Sequence, residues 1–252
     1  MKKMCTLGAI YGKYLFKNRD MEPGAGLAED LLRGHGRYRY IGVAGHASPL
    51  ERGLNSGINQ AGVAVAMTFA DYTPLTEVIK IRTPRGVLIE DILRSAGNLA
   101  DALRIAGDCL LTTPLVGGNI VIMTPEGGAV IEQLYPNYAV QLITQPVTVR
   151  TNHFLNLAVP GKLAVNEENS KIRLARCTRL LVSAAVPEQP LTEGFSVERI
   201  SQVLANHEEP HPICRHGGDA QTVSTAIYDI ENRAMHYVYG NPCDHPLAHY
   251  TV

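Results

Sequence analysis

The chain of 252 residues contains no tryptophan and only four phenylalanines. A broad aromatic surface for stacking ligands is therefore not expected. Lysine and arginine total 23 and aspartate and glutamate total 24, so the formal net charge is −1. Because the chain has no strong basic field, we expect no nucleic acid as a partner.

Long apolar runs are also missing. No run approaches the roughly 20 residues that are needed to cross a bilayer, and the segment after Cys5 is too short and polar for a signal-peptide core. We therefore expect no membrane partner and a cytoplasmic location. The five cysteines are odd in number and widely spaced, which argues against a disulfide framework and fits a reducing compartment.

The order of the elements predicts an α+β protein. Hairpin-connected strands and helices follow each other in blocks, an order that favours packed sheets with helices outside. Strands are predicted at residues 6–11, 14–18, 38–45, 63–69, 119–123, 128–134, 138–143, 147–151, 222–229 and 235–239. Helices are predicted at residues 27–32, 87–96, 98–106, 170–186 and 197–205.

One cysteine stands apart because it opens the first strand. Translation from Met4, or removal of residues 1–4, would leave Cys5 with a free α-amino group. An α-amine, with a pKa of about 7.7–8.0, accepts the proton of a thiol with a pKa of about 8.5, so one residue supplies both nucleophile and base. Asp20, at the end of the return strand, is placed to orient it. The alternative is an ordinary buried cysteine in a disposable N-terminus.

Five segments carry a resemblance to a known family. They are Cys-Thr at 5–6 with Asn-Arg-Asp at 18–20, residues 57–65, Thr-Asn-His-Phe at 151–154, Ser170 with Arg173 and Arg176, and Gly-Asn-Pro-Cys at 240–243. Together they resemble the choloylglycine hydrolase, penicillin V acylase and isopenicillin N acyltransferase group, and its acyltransferase-like branch more than the bile salt hydrolases. The resemblance implies the N-terminal-nucleophile fold, a four-layer αββα sandwich of two antiparallel sheets flanked by helices. We expect residues 1–4 to be a removable leader and residues 5–252 to form one domain.

The resemblance also assigns roles to residues. Cys5 is the nucleophile, Asp20 orients it, Asn152 donates to the tetrahedral oxyanion, and Arg173 lies near the nucleophile with Arg176 as the neighbouring choice. The residues that bind substrate or support the site are Lys17, Arg19, Thr68, Phe69, His153 and Arg176. Lys17 stands where bile salt hydrolases have an arginine, and a lysine does not repeat a guanidinium fork. A backbone N–H near Thr68 is expected as the second oxyanion donor.

These residues predict a hydrolase of linear amide bonds in an N-acyl amine or an acylated amino acid or peptide-like small molecule, acting through a Cys5 thioester. An acyltransferase, which passes the acyl group to an amine acceptor, is the first alternative. A non-catalytic or metal-binding protein on the same fold is the second. We expect no cofactor, and many relatives are homo-oligomers, so the resemblance admits a homo-oligomer here.

A second group of residues suggests a different chemistry. It consists of His207, His211, Cys214 and His216, with Asp219 after them. Such a composition is typical of metal sites. Pro210 and Pro212, however, break any helical spacing, and a closed zinc site usually takes two separated pairs of ligands. We therefore expect no metal, and a loop whose side chains line the pocket or hydrogen-bond locally.

Overall fold

Two antiparallel sheets form the centre of the computed structural model, which describes residues 3–22, 29–45, 49–159, 167–183 and 194–252. The first sheet contains β1 (Lys3–Ile10), β2 (Tyr14–Met21), β10 (Val147–Arg150), β11 (His216–Gly217), β12 (Ala220–Asp229), β13 (Ala234–Tyr239) and β14 (Ala248–Thr251). The second sheet contains β3 (Glu29–His35), β4 (Arg39–Gly45), β5 (Gly53–Asn59), β6 (Ala64–Met67), β7 (Gly118–Thr124), β8 (Gly127–Leu134) and β9 (Asn137–Ile143).

The strand order places the N-terminal hairpin inside the first sheet. That order is β10-β1-β2-β12-β13-β14, with β11 paired to β12, whereas the second sheet runs from β3 to β9 in chain order. Because β2 pairs with both β1 and β12, the end of the hairpin that carries Cys5 lies among strands from the beginning, middle and end of the chain.

The helices cover the outer faces of the two sheets. They are α1 (Leu75–Val78), α2 (Gly86–Ser95), α3 (Leu99–Thr112), α4 (Glu167–Ser183) and α5 (Val197–Leu204), with a 3-10 turn at Pro49–Glu51. Helices α2 and α3 pack on the second sheet, and α4 and α5 pack on the first. The αββα sandwich that the sequence predicts is thus confirmed. Within the described ranges, none of the helices combines the length and apolar character that a membrane crossing requires.

The core consists of three apolar layers that follow the strand alternation. Leu7 and Ala9 of β1 point between the sheets, whereas Ile10 points at α4 and α5. A third layer, which includes Ile89 and Ile122, lies between α2 and α3 and the second sheet. Because successive side chains of a strand point to opposite faces, β1, β2 and β12 each contribute to both layers of the first sheet.

The prediction of a short helix at residues 27–32 is wrong for the part that the structure describes. Residues 29–32 belong to β3, which pairs antiparallel with β4 (for example Leu31 with Val43), and residues 27 and 28 lie outside the described ranges. An edge strand takes its hydrogen bonds from one neighbour, so pairing with β4 overrides the weak local preference for helix. Strands β5, β11 and β14 had no sequence prediction.

Asn59 has a structural role within the segment 57–65, one of the segments that carry the family resemblance. Its Oδ1 accepts hydrogen bonds from the backbone N–H groups of Ala61 and Val63, both at 3.0 Å. Its Nδ2 donates to the carbonyl oxygens of Leu93 at 3.0 Å and Ala96 at 2.8 Å. One buried side chain therefore closes the β5–β6 turn and satisfies carbonyls at the C-terminal end of α2.

Glu132 fixes the loop that follows β10. Its carboxylate, which is 1% exposed, accepts the backbone N–H groups of Leu155 at 2.9 Å, Asn156 at 2.7 Å and Leu157 at 2.8 Å. The Nε of Arg150 lies 3.3 Å from the same group. This buried carboxylate therefore holds the segment just beyond Asn152 through charge-assisted bonds, which are stronger than neutral ones.

Replacing Glu132 should destabilise the fold. Glu132→Gln is expected to lower the free energy of unfolding by about 3 kcal/mol, because the amide leaves the Arg150 cation without a counter-charge and turns an NH2 group toward backbone donors. Urea denaturation measures this change. Glu126→Gln, at an exposed turn, is the control and should stay within about 0.5 kcal/mol. A loss below about 1 kcal/mol in Glu132→Gln would contradict this role.

Candidate active site

The register of β1 and β10 brings Cys5 to Asn152. The ladder pairs Leu7 with Arg150, so two residues further along it Cys5 faces Asn152. The chain leaves the strand after Arg150, and the Asn152 side chain takes the place of a backbone partner. The Cys5 N–H donates to Asn152 Oδ1 at 2.8 Å.

Arg173 completes this contact from helix α4. Its fully buried guanidinium donates from Nη1 to the Cys5 carbonyl oxygen at 2.7 Å and to Thr6 Oγ1 at 3.1 Å. Its Nη2 donates to Asn152 Oδ1 at 2.9 Å, and its Nε to Asn169 Oδ1 at 2.7 Å. Cys5, Asn152 and Arg173 therefore form a closed ring of hydrogen bonds around the backbone of the cysteine.

The β1–β2 hairpin separates the Cys5 thiol from the Asp20 carboxylate. Cys5 pairs with Arg19 across the ladder, and directly opposed side chains share a face. That face also carries Lys17 and points between the sheets. Asp20, the next residue, points to the side of α4 and α5. The carboxylate and the Cys5 thiol therefore lie on opposite faces of the first sheet.

Two buried cations interact electrostatically with Cys5. Lys17 donates to Asn55 Oδ1 at 2.9 Å, and burial lowers its pKa to about 8 although Cys5 opposes this shift. Arg85 donates to the Thr68 carbonyl oxygen at 2.7 Å, and burial lowers its pKa to about 10, again opposed by Cys5. Cysteine nucleophiles are found in such electropositive surroundings.

Asp20 is fully buried and only half satisfied. Its Oδ1 accepts from Thr222 Oγ1 at 2.8 Å, and its Oδ2 has no partner among the described residues. Burial raises the pKa of Asp20 to about 6, against the opposing effects of Arg173, the Thr222 hydrogen bond and Arg215. One buried acceptor atom of Asp20 is therefore left open among the described residues.

The two groups that are expected to donate to the oxyanion differ in whether they have a free proton. Asn152 Nδ2 donates to the Phe69 carbonyl oxygen at 2.7 Å; it carries two protons, and among the described residues only this one acceptor contacts it. The Thr68 N–H donates to the Asn119 carbonyl oxygen at 2.8 Å. The Thr68 N–H itself is therefore used by the sheet ladder, which continues to that residue, and a second donor near Thr68 stays a prediction.

Two further predicted residues lie in structural contacts. Arg19 forms a buried ion pair with Glu29, which belongs to the second sheet. The His153 Nδ1 lies 3.1 Å from Thr151 Oγ1, and burial lowers the pKa of His153. Arg19 thus ties the two sheets together beside Cys5, and His153 packs against the segment that carries Asn152.

The structure separates the roles of the two α4 arginines. Arg173 contacts Cys5, whereas Arg176 donates from Nη1 to the carbonyl oxygens of Pro210 at 2.9 Å and His211 at 2.7 Å. One helical turn thus contacts the segment that carries Cys5 through its first arginine and the loop after α5 through its second.

Asn119 is a buried residue that the sequence analysis missed. Its Nδ2 donates to Thr68 Oγ1 at 3.1 Å and to the carbonyl oxygens of Thr151 at 2.9 Å and His153 at 3.2 Å. It therefore holds the backbone on both sides of Asn152. No sequence signal marks it, because its partners lie 32 to 51 residues away.

Arg85 was not predicted from the sequence either, although the space that its guanidinium occupies depends on Gly118. A Cβ atom on Gly118 would clash with the Arg85 guanidinium and the Thr68 carbonyl group. The glycine pair at 117–118, which looks like a simple turn signal in the sequence, therefore makes room for a cation beside Cys5.

A cavity of about 460 Å³ lies beside the segment after Phe69. Its lining residues are Tyr72, Thr73, Pro74, Glu77, Lys80, Ile81, Pro114, Leu115, Leu134 and Tyr135. The Tyr72 ring stacks on Phe154 with centroids 4.7 Å apart, two residues from Asn152. None of the lining residues belongs to the Cys5 site, so the cavity does not by itself identify an acyl group.

Solved structures share the fold of the chain at low sequence identity. Penicillin V acylase from Agrobacterium tumefaciens is 13% identical with a TM-score of 0.60, over 93% of this chain and 82% of that one. A mutant of the conjugated bile acid hydrolase from Clostridium perfringens is 12% identical with a TM-score of 0.58, over 99% and 97%. The N-acylethanolamine-hydrolyzing acid amidase ortholog from Caenorhabditis elegans is 11% identical with a TM-score of 0.56, over 90% and 92%.

Sequence comparison supplies the family. No curated protein matches the chain significantly. The model of one family, described as acyl-coenzyme A:6-aminopenicillanic acid acyl-transferase, matches residues 10–244, and Cys5 lies just before the matched range. Because the match covers most of the sequence, the chain belongs to the acyl-coenzyme A:6-aminopenicillanic acid acyl-transferase family.

Proposed function

We propose that the chain is a cysteine amide hydrolase whose nucleophile is the Cys5 thiol once residues 1–4 have been removed. The observation that carries the proposal is the ring of hydrogen bonds that joins Cys5, Asn152 and Arg173. It holds the nitrogen and the carbonyl oxygen of Cys5 at once. Such preorganisation of a nucleophile lowers a reaction barrier without cost at the moment of reaction.

Removal of the leader changes the chemistry of the Cys5 nitrogen. In the chain that retains Met4 this nitrogen is a backbone amide whose single proton goes to Asn152 Oδ1. An amide does not accept a proton near neutral pH, whereas an α-amine has a pKa of about 7.7–8.0. We expect the new ammonium group to donate a hydrogen bond to the buried Oδ2 of Asp20, which lacks a partner among the described residues.

The first half-reaction forms a thioester. The α-amine of Cys5 takes the thiol proton, and the sulfur forms a bond with the acyl carbon of the substrate. The carbonyl oxygen becomes an oxyanion, and the second proton of Asn152 Nδ2 is the donor we assign to it; such a donor is worth about 2.7–4 kcal/mol. The intermediate then collapses, the C–N bond breaks, and the leaving amine receives the proton held by the α-ammonium.

The second half-reaction decides between hydrolysis and transfer. Water attacks the thioester carbon and gives a proton to the α-amine. The C–S bond then breaks, the carboxylic acid leaves, and the α-ammonium returns the proton to the Cys5 sulfur. An amine acceptor in place of water gives an acyltransferase, which the family description favours. We propose hydrolysis as the first activity to test because it needs no second substrate. The linear amide substrate, a cytoplasmic location and a homo-oligomeric state stay predictions.

Intact mass and peptide mapping test the nucleophile. The active protein is expected to begin at Cys5 and to carry one acyl group there after reaction with an activated acyl ester, because only the trimmed residue has its own base. Cys5→Ala should lose turnover and that label. Mapping is needed because Cys243 is exposed and Cys109 half-buried; Cys109→Ala is the control and should keep both. A chain that retains residues 1–4 and turns over substrate equally fast would refute the proposal.

The Arg173 contacts make a second prediction. Arg173→Lys keeps the charge but loses the forked geometry, so loss of one bond of about 1.5–3 kcal/mol should lower kcat about 10- to 100-fold. KM should change little, since the contacts hold the enzyme backbone. Steady-state kinetics and the rate of Cys5 acylation measure this effect. Arg179→Lys, on the exposed side of α4, is the matched control, and equal kcat values in both variants would exclude the role.

The raised pKa of Asp20 predicts a pH dependence of stability. A carboxyl group whose pKa rises from about 3.9 unfolded to about 6 folded stabilises the fold when protonated. This contribution is present below about pH 4 and is lost as the pH rises through about 6. Urea denaturation between pH 4 and 7 should show the loss in a chain with an uncleaved N-terminal extension, but not in Asp20→Asn.

The trimmed chain provides the control for that measurement. An α-ammonium beside Asp20 favours the ionised carboxylate, so the loss of stability between pH 4 and 6 should shrink in the chain that begins at Cys5. Equal pH profiles for the extended and trimmed chains would show that Asp20 does not face the amine.

A further inference from the structure

Four potential metal ligands converge in the first sheet's outer loops. They are His207 after α5, Cys214 before β11, His216 in β11 and Cys243 after β13, and their ligand atoms all lie within 4.8 Å of one another. The sequence alone predicts no metal, because the cluster at residues 207–219 offers no second, separated pair of ligands. Cys243, 27 residues beyond His216, lies outside that cluster.

The spacing of these atoms matches a tetrahedral zinc site. The His207 and His216 Nε2 atoms are 2.9 Å apart, and the Cys214 and Cys243 Sγ atoms are 3.6 Å apart. The His216 Nε2 lies 3.2 Å from Cys243 Sγ and 3.9 Å from Cys214 Sγ. Zinc bonds of about 2.3 Å to sulfur and 2.0–2.1 Å to nitrogen give tetrahedral edges of about 3.3–3.8 Å, so small shifts of exposed side chains would centre an ion.

Neighbouring groups support the ligands as a second layer of contacts. The Asp244 carboxylate lies 3.7 Å from Nδ1 of His216, on the opposite side of the ring from the Nε2 that faces the cluster. Asn241 Nδ2 donates to Cys214 Sγ at 3.3 Å. A carboxylate behind a histidine and an N–H donor on a thiolate are the contacts that orient metal ligands and stabilise their deprotonated forms.

We infer that His207, Cys214, His216 and Cys243 bind one zinc ion. The set of two thiolates and two imidazoles suits Zn²⁺ and leaves no open position for a substrate or water, as in structural sites. Cys214 is buried while the other three ligands are exposed, so the ion can enter from solvent.

The ion would hold together the loop that borders Asp20. Arg215 lies between two ligands, and its N–H donates to Thr222 Oγ1 at 2.9 Å, which donates to Asp20 Oδ1 at 2.8 Å. His211, from the same loop, instead contacts Asn169 Nδ2 at 2.9 Å through its Nδ1. The proposed zinc ligands are thus connected to Asp20 through the backbone of Arg215 and the hydroxyl of Thr222.

Metal content of the purified full-length chain is the first measurement. After incubation with zinc and dialysis, the wild type is expected to retain about one Zn²⁺ per chain by elemental mass spectrometry. Cys243→Ser, at an exposed ligand, should bind zinc more than about 100-fold more weakly, because it removes a direct ligand rather than a supporting group. Asp244→Asn should weaken binding about 10-fold.

Controls separate loss of a ligand from loss of the fold. Cys109→Ser changes a half-buried cysteine of α3 outside the cluster and should keep the zinc, while circular dichroism should be unchanged in all variants. Co²⁺ bound in place of zinc should show thiolate-to-cobalt charge-transfer absorption that Cys243→Ser reduces. This spectrum reports sulfur ligation directly and does not depend on activity.

Three results would overturn the inference. The first is a wild-type chain that retains no zinc. The second is equal zinc affinity of Cys243→Ser and the wild type. The third is a Cys214–Cys243 disulfide in the chain as purified without oxidant. It would lower the intact mass by two hydrogens and be located by peptide mapping. A disulfide bond of about 2.05 Å would use both sulfurs and leave neither for a metal.

Discussion

The site depends on one buried cation, the guanidinium of Arg173. Removing such a group from water is costly unless its donors are matched, and here they are matched by β1, the segment after β10 and α4 itself. The planar fork imposes fixed directions on those acceptors. Any shift of the Cys5 carbonyl or of Asn152 would leave a buried donor without a partner. The hairpin, the bend after β10 and the helix are therefore held in one mutual arrangement.

Most of the fold could be predicted from the local spacing of apolar residues along the sequence. Alternating apolar residues predict the strands β1, β2 and β7 to β10, and helical spacing predicts the helices α2 to α5. The structure contains all of these elements. Strand β5 reads Gly-Leu-Asn-Ser-Gly-Ile-Asn, a sequence with weak strand preference that becomes a strand because β4 and β6 supply its hydrogen bonds. The edge strand β3 also depends on its neighbour. Its leucines suggest a helix in the sequence, but pairing with β4 makes the segment a strand.

The sequence pattern selected Cys5, Asn152 and Arg173, and the structure brings these three into mutual contact, although their roles are still predictions. Residues that act through distant partners were not selected. Asn119, Glu132 and Arg85 have ordinary sequence surroundings, and their importance follows from backbone groups far along the chain. The hydrogen bond of the Thr68 N–H could not be foreseen for the same reason, because only the strand register shows which N–H groups the ladder uses. Cys243 likewise joins its cluster through the β12–β13 hairpin rather than through sequence proximity.

The burial of Met4 has a further consequence for any chain that is trimmed to Cys5. Met4 is 2% exposed and stands directly opposite Asp20 in the β1–β2 ladder, so the two side chains share a face. When the methionine leaves, its volume becomes a void lined by a carboxylate, and a polar void of that size fills with water. Trimming would thus hydrate Asp20 as well as create an amine beside it. A precursor and a mature enzyme of nearly identical backbone would then differ in the solvation of a single acid.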